Sequence, residues 1–256
     1  MKKKILFLLF GLLIFIGPQI SWAFKVAVIT DIHAGGSKVR NRSTKIQSNI
    51  VHPRWYKGYL TKVIRGIKAS GISTVIVTGD ITNNDSTRYS NKVKAITKKS
   101  GLAYIWVKGN HEGKKTTKIF LPQGNNYYYQ DLNNWRFIIL NSNENFIKSS
   151  GFIGPVQYDW ISQTIESSPY PVVVAMHHPI FNISLQKPDE ILSGYQDLEK
   201  IFSESGKVKY VLAGHVHVTQ QFSKELNGVQ YFVNSPLTIK GNPGTFQILD
   251  LPENSD

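Results

Sequence analysis

The sequence predicts an α/β fold organised on a parallel sheet. Through the first half of the chain, short β-branched runs alternate with amphipathic helical segments, and each run ends in residues able to bind metal. The clearest run is Thr74-Val75-Ile76-Val77-Thr78-Gly79-Asp80, which reads as a buried strand delivering one carboxylate into a crevice. A chain of 256 residues suffices for one large domain with a full core, and no shift in composition marks a second.

In chain order, residues 1–23 stand apart. Lys2 to Lys4 form a basic start, Ile5 to Ile16 an apolar stretch, and Ser21-Trp22-Ala23 a small-x-small cleavage signal, so the segment reads as a secretory signal peptide. Gly17-Pro18-Gln19 interrupts the apolar run, which favours cleavage over the alternative of an uncleaved membrane anchor. The expected domain is therefore 24–256, secreted or periplasmic, with no membrane contact once the segment is removed.

Phe24 to Thr30 is a first strand, ending in Asp31-Ile32-His33, where residues two apart point the same way. A polar, basic loop follows to about Val51. From Pro53 a helix places Tyr56, Leu60, Val63, Ile64 and Ile67 on one face, with Gly71 in the position of a C-terminal cap. The strand ending at Asp80 comes next, then a weaker helix from Tyr89 to Lys99. Leu102 to Val107 is a third strand, ending in Lys108-Gly109-Asn110-His111-Glu112. Right-handed crossovers would bring these three strand ends to one edge, where open α/β sheets bind ligands.

Hairpins then appear. Tyr127 to Leu132 and Trp135 to Leu140 flank Asn133-Asn134, and Gln220 to Leu226 and Val229 to Asn234 flank Asn227-Gly228. Between them, a helix opens at Gly154-Pro155. Pro171 to Met176 is a strand ending in His177-His178-Pro179. A helix from Asp197 to Ser205 leads to the strand Lys209 to Ala213, which ends in Gly214-His215-Val216-His217, and Thr245 to Leu251 is the last strand.

The chain has no cysteine, which excludes disulfides, thiolate metal sites and a cysteine nucleophile; any metal must sit on His, Asp, Glu or Asn. The formal charge is +13, or +10 without the three lysines of the leader. Because the Lys and Arg residues are scattered, this reads as a solvated basic surface, and nucleic-acid binding is possible but not favoured.

Five strand ends thus carry Asp31/His33, Asp80, Asn110/His111, His177/His178 and His215/His217, and six of the seven histidines lie among them. Nitrogen and oxygen ligands without sulfur suit Mn, Fe, Zn, Co or Ni. Two divalent ions about 3.5–4 Å apart need a shared carboxylate, and Asp80 is the residue read in that role.

These blocks, D-x-H, G-D, G-N-H-[ED], H and G-H-x-H in order, resemble the calcineurin-like metallophosphoesterase family, and the likeness extends over roughly residues 24 to 251. The resemblance implies a four-layer α/β/β/α sandwich of two mixed sheets and two divalent transition-metal ions with a bridging hydroxide. It assigns Asp31, His33, Asp80 and His217 to the first metal and Asp80, Asn110, His177 and His215 to the second. His111 would then be the general acid, Glu112 would orient a neighbouring histidine, and His178 would support the ligands or face substrate.

The implied function is metal-dependent hydrolysis of small phosphate esters, mono- or diester. A non-catalytic scaffold of the same fold and a nuclease or nucleic-acid binder are the alternatives. Purple acid phosphatases use D-x-G where this chain has His33. Family 5′-nucleotidases carry a long C-terminal domain beyond the position where this chain stops. The class III cyclic-nucleotide type usually reads G-N-H-D, where Glu112 stands here. Substrate-specifying loops are expected at Ala34 to Val51, Asn83 to Tyr89, Lys114 to Asn126 and Phe181 to Gly194.

Overall fold

The computed structural model describes residues 23–36, 51–144, 150–181, 191–241 and 243–253. The expected signal peptide, most of the loop before Val51 and most of the loop after Phe181 lie outside them.

Strands β1 (Phe24–Ile29), β2 (Thr74–Val77) and β3 (Ala103–Trp106) are parallel, connected through helices α1 (Tyr56–Ala69) and α2 (Thr87–Ser100). Strand β10 (Gln247–Leu251) adds antiparallel to β1, giving the sheet order β10-β1-β2-β3. The second sheet contains β4 (Tyr128–Leu132), β5 (Trp135–Ile139), β6 (Val172–Ala175), β7 (Val208–Ala213), β8 (Phe222–Leu226) and β9 (Val229–Val233), in the order β4-β5-β6-β7-β9-β8. Within it β5, β6, β7 and β9 run parallel, and the two hairpins add the edge strands. Both hairpins turn through left-handed residues, Asn133 and Asn134 in one and Asn227 and Gly228 in the other, the geometry that tight two-residue turns require.

Strand alternation divides the core. Val26, Val28, Ile76 and Ile105 of the first sheet meet Phe137, Ile139, Val173 and Leu212 of the second. On the outer face of the first sheet, Ala27, Ile29, Val75 and Val77 pack against Leu60, Val63 and Ile67 of α1 and Val93 of α2. On the outer face of the second, Ile138, Val174 and Val211 meet Ile161 and Ile165 of α4 (Pro155–Glu166) and Leu198 and Phe202 of α5 (Tyr195–Glu204). The result is the four-layer α/β/β/α sandwich of two mixed sheets. Each fully buried aliphatic or aromatic side chain contributes on the order of 1.5–3 kcal/mol.

One expected loop is a helix. Residues Lys114–Phe120 form α3, although Lys-Lys-Thr-Thr-Lys-Ile-Phe has β-branched character and no local cap. Its first turn is held from a distance: Asp85 Oδ1 accepts the Thr116 N–H at 2.8 Å and Oδ2 that of Lys115 at 3.4 Å. The tertiary contact overrides the weak propensity.

Candidate metal centre

Parallel strands β1, β2, β6 and β7 all end at the same edge, and there the backbone leaves the extended region abruptly. Asp31, His33, Asp80, His215 and His217 all have positive φ, between 45° and 71°. Left-handed geometry is uncommon for residues with a Cβ and costs on the order of 1–3 kcal/mol each, so it persists only where the surroundings impose it. Here they do. The Asp31 N–H donates to Gly79 O at 3.1 Å and the His33 N–H to Asp80 O at 2.8 Å, stitching the ends of β1 and β2 together.

The first cluster forms around Asp31. Its Oδ2 accepts the Thr30 hydroxyl at 2.6 Å and the His215 N–H at 3.1 Å. Oδ1 lies 3.2 Å from His217 Nε2 and 3.4 Å from His33 Nε2. Those two ring nitrogens are 3.0 Å apart, and Asp80 Oδ2 lies 3.6 Å from His33 Nε2.

The second cluster begins on the same oxygen. Asp80 Oδ2 is 3.3 Å from His177 Nε2, which lies 3.2 Å from His215 Nδ1 and 2.9 Å from Asn110 Oδ1. His177 Nδ1–H donates to Thr78 O at 2.8 Å, which turns Nε2 toward the cluster. Asp31, His33, Asp80 and His217 therefore converge as one ligand-competent group and Asp80, His177 and His215 as another, with Asp80 common to both.

Two glycines make the approach possible. A Cβ on Gly109 would overlap the Asp80 carboxylate and backbone nitrogen, and one on Gly214 would overlap Thr30 and Asp31.

The donor set fits divalent transition metals. Imidazole nitrogens facing one another at 3.0 and 3.2 Å, both turned toward a carboxylate, are mutually repulsive unless a proton or a cation lies between them. Ligand bonds of about 2.0–2.2 Å place neighbouring donors about 3.0–3.6 Å apart, the spacing found here. Charge in the cluster points the same way. Burial alone would push the Asp31 carboxyl up, yet His217 and His33 hold it well below the usual carboxylate range. Burial would pull His177 down, but the Asp80 carboxylate pushes it up to about 9. For His33, burial outweighs the upward pull of the Asp31 and Asp80 carboxylates, and its value is lowered.

His111 lies at the rim of the cluster. Its Nδ1–H donates to Asn83 O at 2.7 Å, and its Nε2 lies 3.8 Å from Asp80 Oδ2. Glu112 is placed otherwise than expected. Its oxygens accept the backbone N–H groups of Thr82 at 3.1 Å and Gly109 at 3.0 Å, so it orients the loop rather than a histidine. Immediately after the ligand strand, the buried His178 has Nδ1 2.8 Å from Ser142 Oγ and its ring 4.3 Å from that of His215.

Several contributors had no separate signal in the sequence. The carbonyls of Thr78 and Asn83 set histidine tautomers, and backbone acceptors leave no trace in residue type. Lys108, almost wholly buried beside Gly109, donates to Asn141 Oδ1 and Asn143 O, both at 3.3 Å. Its place in the Gly-Asn-His block was the one available pointer.

A four-layer sandwich with carboxylate and imidazole ligands at one sheet edge defines a class of metal-dependent proteins. Residues 24–219 match the calcineurin-like phosphoesterase family, and the chain belongs to that family. It is 26% identical over 171 residues to the 3′,5′-cyclic-nucleotide phosphodiesterase alr5338 of Nostoc sp., covering 65% of this chain and 63% of that protein. It is 24% identical over 174 residues to the 3′,5′-cyclic adenosine monophosphate phosphodiesterase CpdA of Haemophilus influenzae, covering 66% and 62%. The match thus spans less than two thirds of either relative. In fold, the chain is similar to a dimetal phosphatase from Danio rerio, with a TM-score of 0.71 at 15% identity over 90% of this chain and 93% of the other.

Proposed function

We propose that this protein hydrolyses phosphodiesters at a two-metal centre. The observation that carries the reading is the position of Asp80 Oδ2, shared by two groups of ligands at 3.6 Å from His33 Nε2 and 3.3 Å from His177 Nε2. Asp31, His33, Asp80 and His217 would hold one cation and Asp80, Asn110, His177 and His215 the other. Divalent cations bound there would supply charge neutralisation for phosphoryl oxygens and a water nucleophile near neutral pH.

The chain's own residues do the rest. Asp31 Oδ2 is occupied by Thr30 and His215, which fixes its other oxygen toward the cluster. Asn83 O orients the His111 ring, so that Nε2 faces the site. In the reaction a water oxygen forms a bond to phosphorus as that water releases a proton to solvent, the bond to the leaving oxygen breaks, and His111 Nε2–H gives that oxygen its proton. Named relatives that act on cyclic nucleotides support a small phosphodiester as substrate. The basic start at Lys2 to Lys4 and the apolar stretch after it are the ground for proposing an exported mature domain.

The test is purified chain loaded with Mn. It should bind two ions and hydrolyse bis(p-nitrophenyl) phosphate. Two bound ions with no turnover across mono-, di- and cyclic esters would overturn hydrolysis and favour the scaffold.

A further inference from the structure

Beyond the end of β3, Lys108 and helix α3 border a pocket of about 670 Å³, within the size range of a small-molecule site. Six of its eight lining residues come from the stretch Lys114 to Asn126, where a substrate-specifying loop is expected. The other two are Lys108, two residues before Asn110, and Gly113, two after His111. At no more than about 3.6 Å per residue, the wall therefore begins within about 7 Å of the backbone of a candidate metal ligand and of the proposed acid.

The charge of this wall has one sign. Lys108, Lys114 and Lys118 are cations, and no lining residue is acidic. Lys114 and Lys118 stand one turn apart on α3, both exposed, and neither forms an ion pair among the described residues. Lys108 is a fixed charge, its ammonium held by Asn141 Oδ1 and Asn143 O. The carboxylates that act on it are Glu112, Glu144 and Asp85, and each directs its oxygens to N–H groups. Glu112 takes those of Thr82 and Gly109, Glu144 those of Gly154 and the Gln157 amide, and Asp85 those of Lys115 and Thr116. Like charges at helical spacing repel, and cations gathered on one concavity raise a positive potential that an anion relieves. Gln123 and Asn126 add amide donors for its oxygens, and Leu121 gives the wall an apolar part.

We infer that this pocket holds a second anionic group, a carboxylate or a phosphate, carried by the ester whose phosphoryl group the metal cluster takes. The inference rests on the phosphodiester reading and adds a substrate class to it: diesters with an extra negative charge away from the phosphorus under attack, a charge that a 3′,5′-cyclic nucleotide lacks.

The experiment has two arms. In the first, inorganic phosphate is titrated into the metal-free chain at low salt and followed by phosphorus NMR and calorimetry. It should bind with a dissociation constant on the order of 1 mM, and the double variant Lys114→Gln/Lys118→Gln should weaken it about tenfold. Lys115→Gln, on the same helix but outside the pocket, should bind as the wild type does. No binding, unchanged binding in the double variant, or an equal loss in Lys115→Gln overturns the site. In the second arm, the Mn-loaded chain is given p-carboxyphenyl p-nitrophenyl phosphate and, separately, bis(p-nitrophenyl) phosphate. The ratio of their kcat/KM values should fall about tenfold in the double variant. An unchanged ratio would overturn the substrate assignment and leave the phosphodiester reading intact. No turnover of either ester would instead fail that reading, and the substrate assignment with it, whatever the first arm shows.

Discussion

The backbone N–H of His111 donates to Oδ1 of Asp80 at 3.0 Å, while the other oxygen of the same carboxylate stands between the two ligand groups. One side chain therefore joins the two ligand groups and fixes the backbone of the proposed proton donor beside them. Asp80→Asn keeps an acceptor for that N–H but removes the charge, and Asp80→Ala removes both. Both should lose metal, with turnover of bis(p-nitrophenyl) phosphate falling on the order of 10³-fold or more. Metal analysis alongside kinetics checks this, and undiminished turnover in Asp80→Ala would refute the assignment.

His111→Ala separates the two roles. The ring contacts Asn83 O and faces Asp80 without belonging to either ligand group. Metal content should stay at the wild-type level while turnover drops by about 10² to 10⁴. Loss of metal in this variant would show that the ring is a ligand and not the acid.

The residue types at the strand ends were legible because a β-branched run followed by Asp or His carries two signals at once, extended backbone and ligand chemistry. Asp31, Asp80, His177 and His215 each follow such a run, and the fold brings them together. Helix α3 was not legible, because what fixes its first turn is the Asp85 carboxylate, about thirty residues earlier in the chain. Glu112 follows Asn110 and His111 in the chain, but its partners are the backbone N–H groups of Gly109 and Thr82, which no pattern of side chains encodes. The left-handed backbone at Asp31 and His217 was equally silent, since Asp and His tolerate that region without requiring it.

The His177–Asp80 pair gives the metal-free protein a pH signature. Burial works against the imidazolium, and the Asp80 carboxylate more than offsets it, raising His177 from about 6.5 to about 9. A raised folded-state value means that the stabilisation is complete below about pH 6.5 and lost as pH rises through about 9. In EDTA, the melting temperature should fall across that window, and Asp80→Asn should flatten the fall. Metal binding requires neutral His177, so metal affinity should rise over the same interval as a proton is released. A flat melt in EDTA would remove the ion pair from the account.

Glu112 provides a second test, because its surroundings favour the protonated carboxyl over a wider pH range than in the unfolded chain. Burial, and then the nearby Asp80 charge, push it from 4.5 up to about 7. The folded protein therefore keeps a proton that the unfolded chain releases, so this group favours folding most below about pH 4.5 and progressively less as pH rises through about 7. Glu112→Gln, neutral throughout, should abolish that slope in metal-free melts while keeping one oxygen acceptor for the loop. Glu112→Ala leaves the Gly109 and Thr82 N–H groups without an acceptor, at a cost of about 1–3 kcal/mol. It also frees the loop that carries Asn110 over the second ligand group, so metal affinity should drop about 10- to 100-fold, more than in Glu112→Gln. Equal affinity in wild type and Glu112→Ala, measured by metal titration, would show that the loop keeps its position without the carboxylate.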